Sequence, residues 1–167
     1  MLRKLGPKDA ERMLEWMHNE EVIQGLQADV FRTKTIDDCF CFIKTSQCDD
    51  ENYHRAIVNE WDTYQGTVSL KNIDKDFLDA EFAIVLHPEA QGKGLAKQGM
   101  HEILDIAFNE LGLNEVYWNV LKTNVRAIAL YEKMGAILLS NPSERIMSSA
   151  PQGRDVVFYK MVKTNEE

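Results

Sequence analysis

The chain has 167 residues, 44% of them apolar and 28% charged, which is typical of one folded domain that needs neither disulfides nor a structural metal. Its net charge of -8 opposes nonspecific binding to nucleic acid or anionic membranes and mildly favours cationic small molecules. There is no secretory signal, no apolar run of about 18 residues and no metal-ligand spacing around the cysteines, so we expect a single cytoplasmic domain over residues 1–167 without a metal or membrane partner.

The first third of the chain carries the spacing of helices. Apolar residues at helical intervals predict a first helix over 7–18. Thr35 and Asp38 form a capping pair that opens a second helix, which ends near Thr45. The segment between them, 19–33, has mixed character and predicts no defined element.

Strand patterns follow. The runs 54–59 and 66–73 are joined by a turn-prone stretch around Asp62 and predict a hairpin. A third strand is predicted over 80–87. Because side chains alternate along a strand, one of its faces carries Phe82, Ile84 and Leu86, and the other carries Glu81, Ala83 and Val85.

The second half of the chain alternates helices and strands. A glycine-rich turn after Pro88 starts a long helix with one apolar stripe, and Gly112 ends it. The remaining elements are a strand, a helix and two further strands, predicted over 116–121, 124–133, 137–139 and 156–161. This order predicts an α/β fold of the α+β type, in which helices flank a mixed, mostly antiparallel central sheet.

The glycine-rich turn, residues 91–96 (QGKGLA), is the most informative stretch. A helix N-terminus presents unpaired N–H groups and the positive end of the helix dipole, and it can therefore hold an anion. Gly92 and Gly94 leave room for a phosphate, while Lys93 and Lys97 add positive charge. The spacing fits neither a dinucleotide-binding motif nor a P-loop. A diphosphate site is one interpretation, and a glycine turn that only joins strand to helix is the other.

Two motifs in register resemble the GNAT acetyltransferases. Residues 91–96 resemble the pyrophosphate-binding motif of that family, and residues 124–135 (NVRAIALYEKMG) resemble its second signature. The segment 81–89 is similar to the corresponding strand of spermidine acetyltransferases and of the acetyltransferases of ribosomal-protein N-termini. The detailed match covers residues 80–135. The resemblance implies an enzyme that takes acetyl-CoA as donor and an amine as acceptor.

The resemblance also implies where the cofactor binds: in a cleft where the strand ending at Leu86 separates from the next strand, 116–121. The residues that it assigns to the cofactor are Ile84, Leu86, Gln91, Gly92, Lys93, Gly94, Leu95, Ala96, Asn119, Asn124 and Tyr131. Gln91 stands where the family frequently has Arg, which removes one charge. Lys93 and Lys97 are expected to compensate.

Amine acetylation needs a base for the amine, a hydrogen-bond donor for the developing oxyanion and a proton for the departing thiolate. Glu81 is the candidate general base, directly or through a water, because a partly buried carboxylate can have a raised pKa. A solvated or salt-bridged strand residue is an equal interpretation. The motif implies that Tyr131 is the general acid, although its spacing alone suits a core aromatic. Asn124 is also a candidate helix N-cap.

The expected function is therefore acetyl transfer from acetyl-CoA to the primary amine of a small molecule: a polyamine, an amino sugar or an amino-acid derivative. Direct attack is expected, because no cysteine lies near the motifs as a nucleophile. A protein N-terminal acetyltransferase and a noncatalytic CoA-binding module stay open as alternatives. Loops often set specificity, so the acceptor site is expected at segments 22–33 and 141–153. Dimers are frequent in this family, and a homodimer is one expected assembly.

Overall fold

The computed structural model describes residues 1–164 and is built around a central β-sheet. Its strands are β1 Leu2–Arg3, β2 Tyr53–Val58, β3 Tyr64–Asp74, β4 Asp79–Leu86, β5 Glu115–Leu121, β6 Ile137–Leu139 and β7 Val156–Val162. They form one seven-stranded sheet in the order β1-β2-β3-β4-β5-β7-β6. Neighbours are antiparallel except β4 and β5, which are parallel. The predicted mixed, mostly antiparallel sheet is confirmed.

Helices cover both faces of this sheet. They are α1 Ala10–Met17, α2 Glu20–Leu26, α3 Ile36–Thr45, α4 Leu95–Asp105, α5 Val125–Lys133 and α6 Glu144–Met147. The predicted capping pair opens α3, because Thr35 N–H donates to Asp38 Oδ2 at 2.8 Å. α4 continues as a π-helical turn, Ile106–Glu110. Within residues 1–164, no helix is long and apolar enough to cross a membrane.

The sequence analysis did not predict two short helices, α2 and α6. The mixed segment 19–33 holds α2, and the polar loop before β7 holds α6. α2 is seven residues long and α6 is four, so neither offers enough turns for an apolar stripe to stand out. Asn19 and Ser143 cap them through side-chain oxygens that accept from Val22 N–H and Ile146 N–H.

Strand alternation divides the apolar side chains between two cores, one on each face of the sheet. The core beneath α4 and α5 contains the buried residues Phe82, Met100, Ile103, Val116 and Trp118. The core beneath α1 and α3 contains Met13, Trp16, Cys39, Ile43 and Tyr64. Ala56 and Ile57, neighbours on β2, enter different cores, as a period of two residues requires.

The parallel pair is short. β4 and β5 pair only at Asp79 with Glu115, Ala80 with Val116 and Glu81 with Tyr117. Beyond that point β4 stays paired with β3 as far as Leu86, and β5 stays paired with β7 as far as Leu121. The two strands therefore separate, and the sheet opens into a cleft at its centre.

β3 and β4 approach closely beside this opening, at Gly66. A Cβ at position 66 would lie 2.4 Å from the Val85 carbonyl oxygen and 3.1 Å from Leu86 Cα. Both are backbone atoms of the strand that borders the cleft, so neither can move aside without displacing that strand. Glycine is required here for space.

We predict that Gly66→Ala lowers the free energy of unfolding by roughly 1 to 3 kcal/mol, because the methyl group forces β3 and β4 apart. Urea unfolding measures the effect. Gly6→Ala is the matched control, because a Cβ at Gly6 meets nothing within 4 Å and its φ of -134° suits any residue. Equal stability of the two variants would contradict the close approach.

Candidate active site

The opening between β4 and β5 forms a cavity of about 490 Å³, which we call the front cleft. Its walls come from β4, the glycine-rich turn, α4 and α5, and its lining includes Phe82, Ile84, Leu86, Gln91, Gly92, Gly94, Leu95, Ala96, Lys97, Asn124, Arg126 and Tyr131. Phe82, Ile84 and Leu86 share this face of β4, as the strand pattern predicted. Most of the residues that the motifs assigned to the cofactor thus meet in one cleft.

The backbone of β4 offers hydrogen bonds to this cleft. His87 N–H donates to the Gln65 carbonyl on β3 at 2.7 Å. Because the direction of backbone groups alternates along a strand, the N–H and C=O groups of Ile84 and Leu86 point the other way, towards the cleft. β5 has already separated there. An extended ligand that carries amides can pair with this edge as an added strand does.

The glycine-rich turn opens directly into α4. Gly92 and Gly94 have φ values of 77° and 76°, a left-handed conformation that strains other residues. Gly94 is the N-cap of α4 and supplies no side-chain cap. The first helical hydrogen bond of α4 in the described part of the chain runs from Gln98 N–H to the Gly94 carbonyl. The N–H groups of residues 95–97 precede it and are therefore available to an anion.

Positive charge at the turn differs from the sequence prediction. Lys97 lines the front cleft, whereas Lys93 is exposed and does not. Arg126, in the first turn of α5, lines it as well, and its Nη2 lies 3.8 Å from the position of a Cβ on Gly92. Arg126 therefore supplies a positive charge beside the turn. This charge offsets the one that is lost because Gln91 stands where the family frequently has Arg. The sequence analysis did not predict this role of Arg126, although its position two residues after Asn124 in the second motif could have indicated it.

A smaller cavity of about 290 Å³, the central cavity, joins the front cleft. It is lined by Lys71, Glu81, Phe82, Ile84, Trp118, Asn119, Asn124, Tyr131 and Arg154 among others. The two residues predicted to transfer protons, Glu81 and Tyr131, come together here. Asn119 lines this cavity and not the front cleft.

Glu81 is 6% exposed and lies opposite Lys71 on β3. Burial raises the pKa of Glu81, and the Lys71 ammonium, 3.7 Å from the carboxylate, opposes that rise. Its other strand neighbour is Tyr117 on β5. Glu81 is thus a carboxylate with reduced solvation beside the opening of the sheet.

Tyr131 is 8% exposed, and burial raises the pKa of its hydroxyl to about 12. Its ring packs against Trp118 and Tyr159 at centroid distances of 5.1 Å and 5.9 Å. Among residues 1–164, neither its hydroxyl nor the buried Trp118 indole N–H has a hydrogen-bond partner. The Asn124 side chain does: it caps α5 by accepting from Ala127 N–H at 3.2 Å. The Tyr131 hydroxyl is therefore a donor available to a ligand in the central cavity, whereas the Trp118 N–H is enclosed in the core.

A third cavity, the rear chamber, has a volume of about 480 Å³ and lies on the opposite face of the sheet. Ala83 and Val85, the odd positions of β4, line it. The two segments expected to frame the acceptor supply residues to this chamber or to the central cavity: Gly25, Leu26, Ala28, Phe31, Ser149 and Pro151. Ile84 lines all three cavities, so the front cleft, the central cavity and the rear chamber are neighbours at this residue of β4.

α1 holds the start of the glycine-rich turn. His87 is 3% exposed, and its Nε2 lies 2.5 Å from Glu15 Oε2. Its Nδ1 accepts from Glu89 N–H at 3.1 Å, which leaves Nε2 as the nitrogen that donates to Glu15. One turn earlier on α1, Arg12 forms an ion pair with Glu89 at 3.2 Å. The turn between β4 and α4 is therefore fixed to α1 at two points.

Residues 1–137 match the family model described as Acetyltransferase (GNAT) domain. The match covers well over half of the chain and includes the whole front cleft. The chain belongs to the GNAT acetyltransferase family.

Relatives and solved structures agree with this family. A spermidine N(1)-acetyltransferase of Escherichia coli (strain K12) is 37% identical over 99 residues, 56% of this chain and 53% of the relative. The chain thus spans about half the length of that relative. A putative ribosomal N-acetyltransferase, YdaF of Bacillus subtilis (strain 168), is 26% identical over 99% of this chain and 92% of its own length. The crystal structure of spermidine N-acetyltransferase from Vibrio cholerae with CoA and spermine has a TM-score of 0.81 at 24% identity, over 97% and 94% of the two chains, and shows the same fold.

GNAT acetyltransferases use acetyl-CoA as donor, and the front cleft fits that molecule. The N–H groups of residues 95–97 with Lys97 and Arg126 suit its diphosphate, and the exposed edge of β4 suits the amides of its pantetheine arm. Tyr131 lines both this cleft and the central cavity. The residue assignments themselves stay predictions.

We predict that Arg126→Gln weakens CoA binding roughly five- to tenfold, because one charge-assisted contact to phosphate is lost. Isothermal calorimetry measures the dissociation constant, and the loss should shrink at high salt. Arg32→Gln is the matched control, since Arg32 pairs with Glu20 away from the cleft. If both variants bind CoA equally well, Arg126 has no part in the phosphate site.

Proposed function

We propose that this protein is an acetyl-CoA-dependent N-acetyltransferase that acetylates the primary amine of a small molecule. The observation that carries the proposal is the meeting of Glu81 and Tyr131 in a central cavity between the front cleft and the rear chamber. A donor held at the cationic turn and an acceptor held in the rear chamber reach each other there. Membership of the GNAT family supports the reaction type.

Bound acetyl-CoA supplies the activated acetyl thioester. Glu81 takes the proton that the acceptor nitrogen releases, directly or through a water, as that nitrogen bonds to the acetyl carbon. The Leu86 N–H, which points into the cleft, donates to the oxygen on which charge develops. Tyr131 Oη gives a proton to the sulfur as the carbon–sulfur bond breaks. A proton then passes from Glu81 through solvent to the Tyr131 oxygen, which restores both groups; the products are one acetamide and one free thiol, with no covalent step on a protein side chain.

Two observations favour a small-molecule acceptor over a protein N-terminus. Relatives named spermidine N(1)-acetyltransferase share 37% and 39% identity over 56% and 43% of the chain, whereas the putative ribosomal enzyme shares 26% over 99% of it. The rear chamber is also a concave space of about 480 Å³, a volume within the range of small-molecule sites. A polyamine, an amino sugar and an amino-acid derivative all remain within this proposal.

Three other expectations from the sequence accompany the proposal. The cytoplasmic location and the single domain over residues 1–167 stay predictions from the sequence. The homodimer also stays a prediction; the exposed side chains of Ile137 and Leu138 on the edge strand β6 favour an association there.

Release of CoA thiol tests the proposal, with acetyl-CoA and a panel of polyamines, amino sugars, amino acids and short peptides. We expect turnover of at least one small-molecule amine above the hydrolysis background. Calorimetry with CoA is run in parallel. Binding of CoA without turnover of any amine would support the noncatalytic module, and turnover of peptides alone would support the protein acetyltransferase.

We predict that Tyr131→Phe lowers kcat roughly 100-fold or more while the dissociation constant of acetyl-CoA changes little, because the proton donor is lost and the ring stays packed. Steady-state kinetics and calorimetry separate the two effects. Tyr159→Phe is the control, because the Tyr159 ring packs beside Tyr131 but its hydroxyl donates to Glu132. Unchanged kcat in Tyr131→Phe would remove the acid role.

A second prediction concerns pH. Glu81 must be ionised to accept a proton, so activity is lost as pH falls through its pKa, which burial raises above the ordinary 4.5. Lys71 lowers that pKa, and Lys71→Met should therefore move the acid limb of kcat/KM to higher pH. The titration of the acceptor amine is the same in both proteins, so the difference reports on Glu81. An unmoved limb would show that Glu81 does not control it.

A further inference from the structure

The rear chamber has a distinctive chemistry that bears on the acceptor. Much of its wall is apolar or aromatic: Met13, Trp16, Met17, Leu26, Phe31 and Phe42. Trp16 and Phe31 meet edge to face at 5.1 Å, and Phe42 meets His54 in the same way at 4.9 Å. These contacts make a chamber suited to an aromatic or branched aliphatic group.

The charges in the chamber are mostly positive. Lys34, Lys71 and Arg154 line it, against one carboxylate, Asp38. Asp38 is already engaged in the cap of α3, where it accepts from the Thr35 N–H at 2.8 Å and from its hydroxyl at 3.1 Å. A polyamine carries several ammonium groups and needs carboxylates to receive them. The rear chamber offers mostly cations, which repel ammonium groups.

Two of these cations stand where the chamber meets the reacting groups. Lys71 and Arg154 line both the rear chamber and the central cavity that holds Glu81. Lys71 faces Glu81 at 3.7 Å. The Arg154 guanidinium donates to the Gln27 carbonyl at 2.7 Å and, within residues 1–164, has no carboxylate at ion-pair distance. Arg154 is thus a half-buried guanidinium available to an anionic group of a ligand.

On the basis of the acetyl transfer proposed above, we propose that the acceptor is a hydrophobic α-amino acid or a close derivative with a free carboxylate. Its carboxylate binds Arg154 with Lys71 beside it, and its side chain enters the aromatic part of the rear chamber. The adjacent amine then lies at the central cavity, where Glu81 takes its proton.

Matched acceptors test the charge requirement. Phenylalanine, phenylalaninamide, phenethylamine and spermidine are compared by thiol release, with kcat/KM corrected for the fraction of neutral amine. We expect phenylalanine to exceed each of the others by roughly tenfold or more, the size of one lost charge-assisted contact. Higher turnover of spermidine, or equal turnover of phenylalanine and its amide, overturns the inference and leaves the proposed function standing.

Binding of the acetylated products tests the same site without turnover. With CoA present, N-acetylphenylalanine should bind more tightly than N-acetylphenylalaninamide by calorimetry, and Arg154→Gln should remove the difference while the amide binds as before. The control is Arg32→Gln, because Arg32 is exposed and lies outside all three cavities; this variant should keep the difference in affinity. No preference for the carboxylate in the unaltered protein overturns the inference. Failure to bind CoA overturns the proposed function as well.

Discussion

Three pairs of residues hold β4 to β5, and beyond Glu81 the polar backbone groups of β4 that face β5 have no strand to bond. Unpaired backbone groups are costly wherever water is excluded, so an extended ligand that bonds to Ile84 and Leu86 completes the sheet. The same opening gives Ile84 access to both faces. In the proposed reaction, this gap in the sheet is where a donor on one face meets an acceptor on the other.

The sequence predicted the elements whose pattern is long or chemically marked. Alternation along β4 identified the side chains that line the front cleft, and Thr35 with Asp38 marked the start of α3. Arg126 was missed, because its nearness to the glycine turn depends on how α5 packs beside α4, which no local pattern records. The lining of the rear chamber could not be predicted for the same reason: it combines residues of α1, α3, β2, β3 and β4 with Arg154, which lies much further along the chain, just before β7.

Donor and acceptor sites also differ in how far the family match reaches. The front cleft lies wholly within residues 1–137, which the GNAT model covers, whereas Arg154 lies beyond them. A shared donor demands the same turn, helix N-terminus and strand edge from every member. The acceptor can differ from one family member to the next. The similarity to relatives named for a polyamine is therefore compatible with a mostly cationic rear chamber in this chain.

α1 takes part in both halves of the molecule. Met13, Trp16 and Met17 face the rear chamber, while Arg12 and Glu15 hold the turn that leads to α4. α1 therefore contacts both the rear chamber and the segment that leads into the glycine-rich turn. If the proposed sites are right, a substitution in the aromatic wall that shifts α1 also shifts Glu15, and with it His87, so the two substrate sites cannot change independently of each other.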